Sequence, residues 1–231
     1  MAVFFIDLNQ SITFYLIFIY SQSIISKKIS FTEGFLQLPA QIESERIILK
    51  HPLKPTFKLA KELYAIVDES RATLREWLPW VDTTNSAEDE LTSFLVGYCQ
   101  KNWEEGCSFA YILYQKETNQ ILGVVDLIHV NEKNQSAEIG FWLSDEATGH
   151  GYMQEAVLAL ESEGFKNGLN RIIIRNDTLN IRSAHVAKRC GYILEGVMRQ
   201  DAWDDFHQCL RDTNIWSKLK SEWEKDRNDT F

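Results

Sequence analysis

An α/β (α+β) fold, a mixed sheet flanked by helices, is predicted for this 231-residue chain by three observations. Three strand-like runs, "SFAYILYQ", "ILGVVDLIHV" and "SAEIGFWLS", follow one another across the short polar turns "KETNQ" and "NEKNQ", as in an antiparallel meander. Behind them a helical stretch, the run "RIIIRN", a short helix and "YILEGVMR" alternate as a β-α-β unit does. Between "ESERIILKHP" and the meander, apolar residues recur at helical rather than strand spacing.

The elements follow in order. "ESERIILKHP" is a strand closed by Pro52 and Pro55, after which Phe57, Ala60, Leu63, Tyr64 and Val67 share one helical face. A second helix opens at "NSAEDE", where Asn85 and Glu88 have capping-box spacing, and buries Leu91, Phe94, Leu95 and Tyr98. The meander comes next. A helix from "GYMQEAV" keeps Met153, Ala156, Val157, Leu160 and Phe165 to one side and ends near Gly168. Asn180 caps a short helix that Gly191 stops, and "LRDTNIWSKL" supplies the last strand before a polar tail. The order is β-α-α-β-β-β-α-β-α-β-β.

The totals bound the function. Hydrophobic residues at 45% and charged residues at 25% describe a folded globular chain, and its length suits one core with an appendage. A net charge of −9 disfavours nucleic-acid binding, which needs a basic face. Four scattered cysteines form neither a disulfide framework nor a zinc knuckle, so no metal is expected and the setting is cytoplasmic. In residues 1–40 the charges of Asp7 and Glu33 cancel those of Lys27 and Lys28. The apolar run Ile12 to Tyr20 falls short of a span, and no basic n-region or cleavage site makes a signal peptide, so a membrane role is disfavoured. The division expected is a hydrophobic extension over 1–40, a domain over 41–225 and a tail over 226–231.

The stretch "DEATGHGYMQEAV" carries chemistry. A strand, amides freed by two glycines and a helix N-terminus converge on one spot, which suits an anion such as phosphate. A simple turn is the competing reading, since one G-x-G is close to chance. It is neither a Walker loop nor a dinucleotide fingerprint.

Together with "AEIGFW", "LNRIIIRN", "NIRSAHVAKRCGY", "LEGVMR" and "WLPW", this turn gives residues 42 to 224 a long resemblance to the GNAT acetyltransferases. Within them the chain resembles the ribosomal-protein N-terminal acetyltransferases, RimJ/RimL. The resemblance implies a GNAT fold with a twisted sheet of six to seven strands. It also implies acetyl-CoA as co-substrate and direct transfer in a ternary complex to a primary amine, a protein N-terminal α-amino group foremost. A homodimer is allowed.

The family pattern Q/R-x-x-G-x-G/A becomes Thr148, Gly149, His150, Gly151, Tyr152 and Met153 here, which implies that their amides hold the CoA pyrophosphate. Thr148 departs from the usual long polar side chain. The resemblance further implies a splayed gap beside Ile139 to Leu143 for the pantetheine arm, with Phe141, Trp142 and Leu143 lining it. It implies an oxyanion donor at the amide of Phe141 or Trp142, Asn180 on the cofactor arm, and Ser183 as acid for the departing thiolate. Asn180 and Ser183 also read as an ordinary helix start.

By strand alternation Glu138 shares a face with Gly140 and Trp142, so it is the candidate base, with a structural carboxylate as the alternative. Asp126 and His129 alternate differently and are set aside, and His185 reads as a surface or packing residue. Trp77 continues the spacing of Leu74 into the core, whereas Trp80, beyond Pro79, is the candidate acceptor-pocket wall. Asp201, Asp204 and Asp205 with Trp203 read as an acidic loop. Two other readings stay open: a small-molecule amine acetyltransferase acting on a polyamine, aminoglycoside or amino acid, and a non-catalytic acyl-CoA-binding module.

Overall fold

The computed structural model describes residues 36–228. The apolar run Ile12 to Tyr20 and residues 229–231 lie outside them. Among the described residues no helix is long and apolar enough to cross a membrane.

Eight strands form one mixed sheet in the order β1-β2-β3-β4-β5-β6-β8-β7. They are β1 (Gln41–Glu43), β2 (Ile47–Lys50), β3 (Phe109–Gln115), β4 (Ile121–Asn131), β5 (Ser136–Leu143), β6 (Arg171–Asp177), β7 (Ile193–Asp204) and β8 (Cys209–Leu219). The predicted meander is β3-β4-β5. Among the described residues the β5–β6 pair alone is parallel, as a pair joined by a crossover helix is. The strand expected in "ESERIILKHP" is β2, and the antiparallel β1 just before it adds one to the expected count.

The helices are α1 (Phe57–Glu69), α2 (Arg71–Leu74), α3 (the helical run 87–105), α4 (Tyr152–Lys166), α5 (Ile181–Arg189) and α6 (Lys220–Asn228). Within α3, Glu90–Gln100 is wound in the wider i→i+5 manner. Its cap is Ser86 rather than Asn85: the Ser86 side chain accepts from the Asp89 amide, while the Asp89 carboxylate accepts from the Asn85 amide at 3.0 Å. The side-chain cap sits one residue later than the spacing suggested, and the Asp89 carboxylate reaches back one residue beyond it.

Two cores lie on opposite faces of the sheet. On one, Val125, Leu127, Ile139 and Phe141 meet Ala156, Val157, Leu160 and Phe165 of α4. On the other, Val124, Ile112 and Trp142 meet Ala60, Leu63 and Val67 of α1 and Leu95 of α3. The polar tail of the sequence is helix α6. Its Trp223 tilts against Phe165 at 5.6 Å between ring centroids, a burial that the surrounding charges hid from composition.

The extension assigned to 1–40 also ends inside the core. Leu36 is buried, the Tyr111 hydroxyl donates to the Pro39 carbonyl at 2.8 Å, and the His51 amide donates to Ala40 O at 2.9 Å. Deleting through residue 40 is expected to cost about 2 to 4 kcal/mol in urea unfolding, relative to deletion through residue 35, for one buried leucine and two hydrogen bonds.

Candidate active site

Strands β5 and β6 pair only at Ser136↔Arg171, Ala137↔Ile172 and Glu138↔Ile173. Beyond Glu138 they separate, because β6 goes on pairing with β8 through Asp177 while β5 goes on pairing with β4 through Leu143. A cleft of about 470 Å³ opens at this splay. Its walls are Phe141, Trp142 and Leu143 of β5, Thr148, Gly149, Gly151 and Met153 of the glycine turn, Asn180 and α5, and Thr73 and Trp77.

Two left-handed glycines shape the turn: Gly149 has φ 90° and Gly151, the cap of α4, has φ 80°. Only glycine adopts these values without strain. The first bond into α4 runs from the Glu155 amide to the Gly151 carbonyl at 3.2 Å, so the amides of Tyr152, Met153 and Gln154 have no acceptor in the helix. They add to the positive end of the helix dipole at the cleft wall. Thr148 braces the turn in place of a longer side chain: its hydroxyl donates to Ser144 O at 3.0 Å and its amide to Asp145 O at 3.2 Å.

The back of the turn is anchored by residues that the motif did not mark. Arg46 donates from Nη1 to the His150 carbonyl at 2.9 Å and from Nε to Glu155 at 2.8 Å, and its amide and the Ser44 hydroxyl also reach the Glu155 carboxylate. The His150 and Tyr152 rings stack on this rear side, where the Tyr152 hydroxyl accepts from Gln115, so these two side chains support the turn and only their backbone belongs to it. Burial raises the Glu155 carboxyl, but the bonds from Ser44 and Arg46 outweigh it and hold it below the usual range. An Arg46→Ala variant is expected to loosen the turn and cost about 1 to 3 kcal/mol in urea unfolding, because the buried side of Glu155 loses its charge-assisted donor.

At the opposite wall the buried Asn176 donates to the carbonyls of Asp177 and Asn180 and accepts from Trp216 Nε1 at 2.8 Å, which fixes the entry to α5. Asn180 caps the helix, its Oδ1 accepting from the Ser183 amide at 3.1 Å. Ser183 lies behind this wall, fully buried, and its hydroxyl has no hydrogen-bond partner.

Trp77 packs against the second core as its spacing from Leu74 predicts, and it also lines the cleft, with the Arg211 guanidinium 5.9 Å from its ring. Trp80, in the turn Pro79–Asp82, packs against the same core on Trp142 at 6.0 Å and is not among the residues lining the cleft.

Asp201 and Asp204 are likewise not in a loop. Strand β7 continues past a bulge to Asp204, and the turn holds only 205–208. Asp201 pairs with Arg175, and Asp204 with Arg211 at 2.6 Å, whose Nε meets Asp177 at 3.0 Å. The hairpin tip reaches α2, with Arg75 lying 5.3 Å from the Phe206 ring.

Glu138 is nearly buried on the face of Gly140 and Trp142. Asp126 shares that face because its partner across the ladder is Gly140, so the expectation that it alternates away is corrected. Asp126 is fully buried and accepts from the Tyr98 hydroxyl and from Ser108 Oγ at 3.0 Å. Burial pushes its carboxyl up to about 7 despite those donors. With the folded value above the unfolded one, its stabilising contribution is complete below about pH 4 and is lost as pH rises through about 7. Melting temperature is therefore expected to fall from pH 5 to 8 by several degrees more in the wild type than in Asp126→Asn, which keeps an acceptor for Tyr98.

Residues 46–193 match the family described as Acetyltransferase (GNAT) domain. The chain is 30% identical over 157 residues to the ribosomal-protein-serine acetyltransferase of Escherichia coli K12, a match covering 65% of this chain and 86% of that protein. Among solved structures it is similar to the microcin C7 self-immunity acetyltransferase MccE in complex with acetyl-CoA and AMP (27% identity, TM-score 0.68, 76% of this chain and 93% of that one). It also shares the fold of the ribosomal L7/L12 α-N-protein acetyltransferase RimL in complex with coenzyme A (24% identity, TM-score 0.69, 79% and 99%).

Proposed function

The chain belongs to the GNAT acetyltransferase family, with RimJ/RimL as its branch, and on that premise we propose that it moves acetyl from acetyl-CoA to a protein N-terminal α-amino group. The observation that carries this reading is the splay after Glu138, which opens beside a turn whose amides face the same cleft. The pyrophosphate of acetyl-CoA would take the amides from Gly149 to Met153, and the pantetheine arm would run along the free edge of β5 at Ile139 to Leu143. The thioester supplies an activated acyl group that a neutral amine attacks directly.

Chain residues then divide the work. An amide of Phe141 or Trp142 stabilises the oxyanion, Glu138 accepts the amine proton, and Ser183 donates to the departing sulfur. The Ser183 hydroxyl lies one layer behind the lining residues Asn180 and Arg182 and makes no hydrogen bond, which leaves its proton uncommitted for that role. An α-amino group titrates near 8, so a modest base suffices.

Phe206 at the hairpin tip meets Arg75, and Arg211 of β8 meets Trp77 at the cleft wall, contacts that suit a slender acceptor. A chain terminus meets that condition, and so does a small amine, which is the second reading. The test is thiol release from acetyl-CoA with a serine-initiated peptide, a peptide with only a lysine amine, spermidine and an aminoglycoside. Fastest turnover of the serine-initiated peptide is expected. Preference for spermidine or the aminoglycoside would move the assignment to small amines, and saturable acetyl-CoA binding without release would leave a binding module.

A further inference from the structure

We propose that His129 is a positioning residue that orients Glu138 and relays to solvent the proton lost by the acceptor amine. This inference rests on the acetyltransferase reading above.

Regular alternation would put residue 129 on the sheet face opposite Ile128, and Ile128 stands across the ladder from Glu138. The imidazole of His129 should therefore point away from Glu138. It does not: its Nδ1 lies 3.3 Å from Glu138 Oε2. The cause is a break in register between Ile128 and Asn131, where His129 takes the left-handed φ of 52°. A residue other than glycine adopts that conformation at a cost, and bulges of this kind re-aim a side chain beside a site. The strained backbone thus makes one contact that the regular strand forbids.

That contact joins the interior to water. The Glu138 side chain is 9% exposed and that of His129 63%, so a proton received at the carboxylate has a titratable neighbour that reaches solvent. Glu138 also stands at the last β5–β6 pair, where the cleft begins. The charged groups facing His129 are Glu138 of β5, Asp126 of β4 and Arg175 of β6. The bond to Glu138 raises the histidine above its usual value against the opposing effects of burial and Arg175.

The step balances. The amine nitrogen bonds to the acetyl carbon, the carbon–sulfur bond breaks, and the departing sulfur takes up one proton that comes in the end from water in the cleft. The amine proton passes to the Glu138 carboxylate; His129, which donates Nδ1–H to that carboxylate at rest, exchanges with water to the tautomer protonated at Nε2, takes the proton from Glu138 at Nδ1 and returns one from Nε2 to water.

The experiment compares wild type, His129→Gln, His129→Ala, Glu138→Gln and the double variant His129→Gln/Glu138→Gln. Each is assayed with acetyl-CoA and the serine-initiated peptide, or spermidine where that amine alone turns over. Expected are a roughly tenfold fall in kcat for His129→Gln with acetyl-CoA affinity unchanged, and a displaced acidic limb of the kcat–pH profile. Added imidazole should restore much of the rate of His129→Ala, and the double variant should be no slower than Glu138→Gln alone.

The relay is overturned if His129→Gln matches wild type in rate and profile. It is also overturned if its loss tracks a lower melting temperature with no imidazole rescue. A wild type that releases no thiol with any amine overturns the acetyltransferase reading, and the relay with it. A wild type that turns over while residue 129 is indifferent overturns the relay alone.

Discussion

Replacing Ser183 by alanine is expected to lower kcat about a hundredfold while leaving the melting temperature unchanged or higher. The two effects separate because the hydroxyl is fully buried at the third position of α5 and makes no hydrogen bond that the fold would lose. What holds the start of α5 is the bond from the Ser183 backbone amide to Asn180 Oδ1, and alanine keeps that amide. A structural serine would show the opposite pattern, with stability lost and rate spared. Thermal melting and single-turnover thiol release on the same preparation distinguish the two, and an undiminished kcat would remove Ser183 from the chemistry. Asn180→Ala provides the contrast, since loss of the cap costs roughly 1 kcal/mol along with any loss of rate.

The largest stability effect is expected at Lys218. Its ammonium is almost fully buried between β8 and α4, 2.9 Å from Glu161 Oε1 and 2.9 Å from the Cys190 carbonyl, with the exposed Asp226 of α6 at 3.4 Å. Lys218→Met would leave the Glu161 carboxylate buried without its cation, at a cost of about 3 to 5 kcal/mol. The double variant Lys218→Met/Glu161→Leu is expected to recover most of that loss, because the desolvation of both charges disappears together. Arg171→Ala, which breaks the more exposed pair with Glu195, should cost no more than about 1 kcal/mol. Urea unfolding of the four proteins tests the ranking. Equal losses at Lys218 and Arg171 would contradict it.

Most of the architecture was legible because it rests on local signals. Strand-like apolar runs bounded by polar turns gave the meander, and helical spacing gave α1, α4 and α5 nearly to the residue. The glycine turn was legible too, since Gly149 and Gly151 occupy conformations that few other residues accept. Where local signals compete, spacing misled. The serine after Asn85 captured the helix cap, and the tail that looked solvated buried Trp223 beneath its charges.

By itself, then, the sequence determined the meander, the helices α1, α4 and α5 and the two-glycine turn before α4, because each depends on neighbours within a few positions, whereas the gap beside β5 was implied only by the family resemblance. Only the tertiary structure decided what reaches across the chain. Arg46 locks the turn through Glu155, which is 109 positions away; Trp77 rather than Trp80 faces the cleft; Asp126 joins the face of Glu138; and a bulge turns His129 back toward that carboxylate. The physical reason is the same in each case. Periodicity assigns a side chain to a face only while the backbone stays regular, and at a turn, a ladder partner or a bulge the direction is set by residues distant in sequence that the fold brings into contact.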